Sequence, residues 1–120
     1  METTLFNQHG KAVAYIGEDG QTIYAWDGRP AAYLLEDKVY AFNGKQLGWF
    51  DNGTVFDIFG LRCGFIHRKS PLATQMEPGK PVKGAKPMKS PRQMPVAKPA
   101  LLYGFSAKKL EEILEEGENQ

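Results

Sequence analysis

Cysteine is almost absent from this chain, where Cys63 stands alone among 120 residues. One cysteine excludes an internal disulfide framework and any CxxC metal knuckle, and it favours a reducing compartment. Proline is nearly missing from the first 70 residues, with Pro30 the single example. No apolar run approaches the ~20 residues of a membrane span, and Met1 to Thr4 has neither the basic start nor the apolar core of a signal peptide. A cytoplasmic location without membrane contact is therefore expected. A glycine-rich phosphate loop and an HExxH zinc motif are both lacking.

Charge is present but unevenly placed. Residues 1–67 carry five Lys/Arg against eight Asp/Glu, net −3; residues 68–100 carry eight against one, net +7; residues 101–120 carry two against five, net −3. The overall +1 is thus the sum of three unlike segments. They are read as a folded domain (1–67), a linker (68–100) and a C-terminal docking segment (101–120). A folded part of that size buries only about 60% of its unfolded surface, so its sheet must close or be covered.

Glycine marks the organisation of the first segment. Gly10, Gly28, Gly44 and Gly60 stand 18, 16 and 16 residues apart. Four residues before them come Phe6, Tyr24, Tyr40 and Phe56, preceded by Leu5, Ile23, Val39 and Val55. Five residues after them come Tyr15, Tyr33, Trp49 and Phe65, followed by Ile16, Leu34, Phe50 and Ile66. The column between holds only Ala14, Ala32, Gly48 and Gly64. Such a period identifies an internal repeat. Each unit reads as a β-hairpin, with Asp27-Gly28 and Asn43-Gly44 suited to type I′ turns, and His9-Gly10 and Phe59-Gly60 at the same place with weaker turn chemistry; in the fourth unit Phe59, Leu61 and Arg62 replace turn-friendly residues. Asp19-Gly20 and Asn52-Gly53 join the units. The fold class is all-β: four hairpin repeats in a pseudo-fourfold, closed antiparallel meander.

Strict alternation then divides the side chains. One face is aliphatic and narrow, with Leu5, Ala14 and Ile16 and their counterparts. The other carries the aromatic columns together with Val13, Leu47 and Cys63. Antiparallel sheets normally keep one face polar, so two apolar faces demand closure or coverage. The small-residue face is expected at the axis.

The run TIYAWDGRPAAYL at residues 22–34 and the run VYAFNGKQLGWF at residues 39–50 resemble the four-fold β-flower domain of small bacterial proteins. The likeness covers residues 4–67, and the basic Pro/Lys tail is similar to tails that follow that domain. The resemblance implies the fold and no established activity.

From Arg68 the periodicity stops, and seven of the eight prolines fall between Pro71 and Pro99. Such composition predicts a disordered, partly polyproline II linker. Lys80, Lys83, Lys86, Lys89 and Arg92 recur at three-residue intervals. Polyproline II has three residues per turn, so these charges would line one edge and suit a polyanion, or else simply solvate a spacer. Further on, Ser106 is an N-cap candidate, Phe105 and Leu110 could form a hydrophobic staple, and Gly117 could end a short helix. Lys108 and Lys109 sit at the positive end of its dipole and Glu115 and Glu116 at the negative end, so alone it should be mostly unfolded. Its residues Leu110, Ile113 and Leu114, with Leu101, Leu102, Tyr103 and Phe105, fit a tethered partner-docking motif or a helix packed back on its own sheet.

Candidate chemistry is sparse. His9 and His67 read as surface residues, Cys63 as a small packing residue, and Asp27, Asp51 and Asp57 as turn or strand-end residues. No catalytic constellation, metal site, cofactor or small-molecule substrate is inferred. Trp26 with Arg29 and Phe42 with Lys45 are expected as aromatic and basic pairs at two hairpin tips that could grip a partner. The function expected from sequence is a non-enzymatic protein-interaction module with a tethered C-terminal helix, binding another protein or a second copy. The alternative is weak nucleic-acid binding through the basic linker.

Overall fold

A computed structural model describes residues 1–117. Eight strands follow in order: β1 (Thr3–Phe6), β2 (Ala12–Ile16), β3 (Thr22–Ala25), β4 (Pro30–Leu35), β5 (Lys38–Ala41), β6 (Gln46–Asp51), β7 (Thr54–Asp57) and β8 (Arg62–Phe65). Each pairs antiparallel with the next, and β1 meets β8 at Phe6 and Phe65, closing an all-β barrel in sequence order. A 3-10 turn at His67–Lys69 and one short helix, α1 (Leu110–Glu116), follow. The C-terminal segment expected over 101–120 runs three positions beyond the described residues.

The tight turns differ from the expected type. Gly28 donates its N–H to Ala25 O at 2.9 Å and Gly44 to Ala41 O at 3.0 Å, and both glycines have φ near +95°. Asp27 and Asn43 do not share the positive φ that a type I′ turn needs; among the described residues Glu36 and Asn52 are the non-glycines that have it. The type I′ pattern falls instead at Asn52-Gly53, between β6 and β7. At the other tips a carboxylate or amide oxygen organises the loop. Asp27 Oδ1 accepts from the Arg29 N–H and Asn43 Oδ1 from the Lys45 N–H, while Asn7 Oδ1 accepts from His9 and Lys11, and Asp57 Oδ1 from Phe59 and Leu61. The weak turn chemistry of His9 and Phe59 is thereby supplied two residues earlier.

A bulge also breaks the strict alternation. In the β1–β2 pair Leu5 faces Ala14 and Phe6 faces Ala12, which leaves Val13 over. The same shift leaves over Ala31, Leu47 and Cys63 in the β3–β4, β5–β6 and β7–β8 pairs. An extra residue resets the parity, so these four side chains join the interior cluster with Leu5, Ala14, Ile23 and Val39. Placing Val13, Leu47 and Cys63 on the aromatic face is therefore corrected.

The barrel interior is completed by α1, whose Leu110, Ile113 and Leu114 belong to the same buried cluster. The helix begins later than Ser106 suggests: Lys109 is its N-cap, and its N–H donates to the Glu112 carboxylate at 2.7 Å. Ser106 Oγ instead accepts from the Lys108 N–H. The unfavourable Glu116 at the helix end is held by Lys45 of the barrel at 3.0 Å and by Lys108 at 2.5 Å.

The expected disordered linker is a strap around the barrel. Gln75, Gly84, Gln93 and Leu102 donate their N–H groups to the carbonyls of Gly10, Gly28, Gly44 and Gly60 at 2.8, 2.8, 2.9 and 2.9 Å. The four donors are nine residues apart, so one strap step passes each hairpin tip. A Cβ on Gly28 or Gly44 would strike the carbonyl oxygen of Val82 or Pro91, so the absent side chain is what admits the strap. Composition misleads here because it measures only what a segment can bury by itself. This one lies on aromatic surface supplied by the barrel.

Candidate functional site

The strap turns its cations onto the outer rings. Lys80 Nζ lies 4.4 Å from the ring centre of Tyr15 and 5.3 Å from that of Trp26. Lys83 sits over Tyr24 at 5.7 Å, Lys89 over Tyr33 at 4.3 Å, and the Arg92 guanidinium over Tyr40 at 5.8 Å. These are cation–π distances. Lys80 and Lys83 also pair with Glu2, Lys86 with Asp19, and Lys98 with Asp37. The five residues expected as an edge of free charges remain exposed, but each also rests on a ring or a carboxylate of the chain's own barrel. Hydrogen bonding from Lys80, then Lys83, holds the Glu2 carboxyl below its ordinary range.

The two hairpin-tip pairs are likewise engaged internally. Trp26 meets Tyr15 edge-on with 5.8 Å between ring centres, and Arg29 pairs with Asp27 at 2.9 Å. Phe42 is buried against Tyr33 with ring centres 5.3 Å apart, and Lys45 reaches Glu116. Of the seven residues expected in a docking motif, Leu110, Ile113 and Leu114 are enclosed in the barrel. The helix packs back on its own sheet, and those three side chains offer nothing to a partner. Their burial follows from the small interior column, which leaves room for a plug.

Cys63 is also enclosed, its Sγ 3.4 Å from Val55 O, and burial pushes its thiol well above the ordinary range. A thiol so held is a poor nucleophile. His67 Nδ1 lies 2.9 Å from Thr74 Oγ1, at the start of the strap.

Exposed apolar side chains run along the strap at Leu72, Met76, Val82, Met88 and Met94, but the exposed aromatic ones among the described residues lie near its end. Tyr103 is 90% exposed, Phe59 69%, and Leu102 and Phe105 49% each. The Leu102 N–H donates to Gly60 O, which brings Leu102 to the fourth tip, where Phe59 precedes Gly60 in the chain, and the Arg62 guanidinium stands by both Tyr103 and Phe105. Just beyond, residues 104–106 run beside β8. The Arg62 N–H donates to Gly104 O at 2.9 Å and the Ser106 N–H to Arg62 O at 2.7 Å, with Phe105 in a parallel bridge to Arg62. Gln8 Nε2 ties the same stretch to the end of β1 by donating to Lys108 O at 2.7 Å. The segment therefore covers the edge of β8 that its single pairing with β1 leaves open.

Arg62 is the functional candidate that sequence reasoning missed. It occupies the column of Ala12, Pro30 and Gln46, the residues facing Phe6, Tyr24 and Tyr40 across each bulge. Its guanidinium stands 4.6 Å from the ring centre of Phe105, 5.6 Å from Tyr103 and 5.8 Å from Phe65, and Nη2 donates to Tyr103 O. It lines a cleft of about 390 Å³ with Asp51, Asn52, Thr54, Phe56, Lys69 and Leu101–Tyr103. The signal was a charged residue at one of the four positions of an otherwise uncharged column.

A family model described as 4-fold beta flower protein matches residues 3–114, a span that takes in the barrel, the strap and most of α1. No curated protein and no solved structure matches the chain.

Proposed function

The chain belongs to the 4-fold beta flower family, and we propose that it serves as a non-enzymatic protein-interaction module. The observation that carries this reading is the apolar surface of Phe59, Leu102, Tyr103 and Phe105 at the fourth hairpin tip. The aromatic columns elsewhere on the outer sheet are buried, under strap cations at Tyr15, Tyr24, Tyr33 and Tyr40. Clustered aromatic residues rimmed by polar ones mark partner-binding surface. The docking element is thus this tip and the strap's end rather than the helix face.

Four equivalent hairpin units form the rigid part of the module. The four bulges and the four glycine tips at matching positions support that division. A cytoplasmic partner protein is the intended occupant; a second copy is the alternative that sedimentation at rising concentration separates. The test compares proteins captured from cell extract by the full chain and by a Phe59→Asp, Tyr103→Asp variant of unchanged melting temperature. Partners kept by the native chain at about 0.5 M salt and lost by the variant support apolar docking, since salt screens charge contacts. Identical capture by both overturns it.

A further inference from the structure

The cleft beside the exposed tip holds cationic donors that the fold leaves unused. A guanidinium has five N–H donors. For Arg62 the described residues supply one acceptor, Tyr103 O, while Nε is buried and has none. No carboxylate among the described residues pairs with Arg62, and none pairs with Lys69, the second cation of the cleft. Asp51, the carboxylate on the cleft wall, already faces Lys98 at 3.7 Å. Three rings hold the Arg62 guanidinium in place, and Phe56, Leu101, Leu102 and Tyr103 add apolar wall. Elsewhere the same column is satisfied from within: Gln46 Oε1 accepts from the Val96 N–H at 2.8 Å, so the strap answers that polar residue.

We propose that the cleft between Arg62 and Lys69 receives a carboxylate carried on an apolar body, the free C-terminus or acidic side chain of a partner peptide lying next to a hydrophobic residue. A fixed, ring-stacked guanidinium matches the planar geometry of a carboxylate. The proposal rests on the interaction-module reading and names the partner's chemistry.

The test titrates the full chain with N-acetylphenylalanine while following the Arg62 Nε–H signal and the Leu102 and Tyr103 amides by NMR. Saturable shifts of these groups are expected, at least tenfold weaker with N-acetylphenylalaninamide, which lacks the charge. Lys69→Gln should weaken binding severalfold without changing the melting temperature, and Arg62→Lys should weaken it more. Equal response to acid and amide overturns the proposal, as does a response to inorganic phosphate at lower concentration than to the acid. A silent titration also overturns it but leaves the module reading to its own test, the capture lost with Phe59→Asp and Tyr103→Asp.

Discussion

Gly64 of β8 and Leu110 of α1 fit as hole and knob: a Cβ on Gly64 would stand 2.7 Å from Leu110 Cδ2. The small-residue column of the repeat is thereby explained at this position by what it admits. Leu110→Ala should cost about 2–5 kcal/mol, the range for truncating a buried leucine. Gly64→Val should cost about 1–3 kcal/mol through overpacking. Urea unfolding of the two variants measures both, and a Gly64→Val chain as stable as the native one would remove the plug argument.

A truncation ending at Pro99 should not retain a native barrel. It deletes Leu110, Ile113 and Leu114, each worth roughly 1.5–3 kcal/mol when buried, against a typical total of about 5–15 kcal/mol. It also uncovers the edge of β8 beside residues 104–106. Loss of dispersed amide resonances and self-association are expected. A sharp, monomeric spectrum from the truncated chain would contradict this.

Substituting the tip glycines should loosen the strap. Gly44 has φ +95°, which costs about 1–3 kcal/mol for a residue with a side chain, and its Cβ would meet the Pro91 carbonyl. Gly44→Ala should therefore speed hydrogen exchange at Gln93, whose N–H bonds to Gly44 O, more than at amides of β1 or β2. Uniform acceleration across the barrel would mean global destabilisation instead.

Acid should release the strap. Glu2 is held low mainly by hydrogen bonding from Lys80, Asp37 mainly by Lys98, and Asp19 chiefly by the Thr22 hydroxyl and amide with Lys86 contributing last. A carboxyl depressed in the folded state adds stability that is complete above its unfolded pKa, about 3.9 to 4.3, and lost as pH falls through the lower folded value. Strap amides such as Gly84 should lose protection progressively below about pH 4, with melting temperature falling in the same window. Melting that is flat from pH 5 to about 2 would show that these pairs contribute nothing to folding.

The barrel was largely legible because its signals are local. The aromatic column at Tyr24 and Tyr40 falls within β3 and β5, and Tyr33 and Trp49 within β4 and β6. The turn type was not legible from Asp27-Gly28 and Asn43-Gly44, since the same dipeptides serve a loop in which only glycine is left-handed. Arg62 was overlooked for a related reason. The fourth unit's departures were read as poor turn chemistry, whereas Asp57 had already supplied the turn and left Arg62 for another role.

The strap shows how a true period can hide inside a shorter one. Lys80, Lys89 and Lys98 recur every nine residues, the step that matches the barrel's tips, but three divides nine, and the run from Lys80 to Arg92 reads first as a polyproline spacing.

By itself the sequence determined the number of strands, their order and the glycines at their tips, because turn preference and alternation depend on residues close along the chain. Only the tertiary structure decided that Val13, Ala31, Leu47 and Cys63 point inward, that α1 fills the barrel, and that the proline-rich segment covers the rings. Those outcomes follow from burial against distant surface, and no local pattern records which surface that will be.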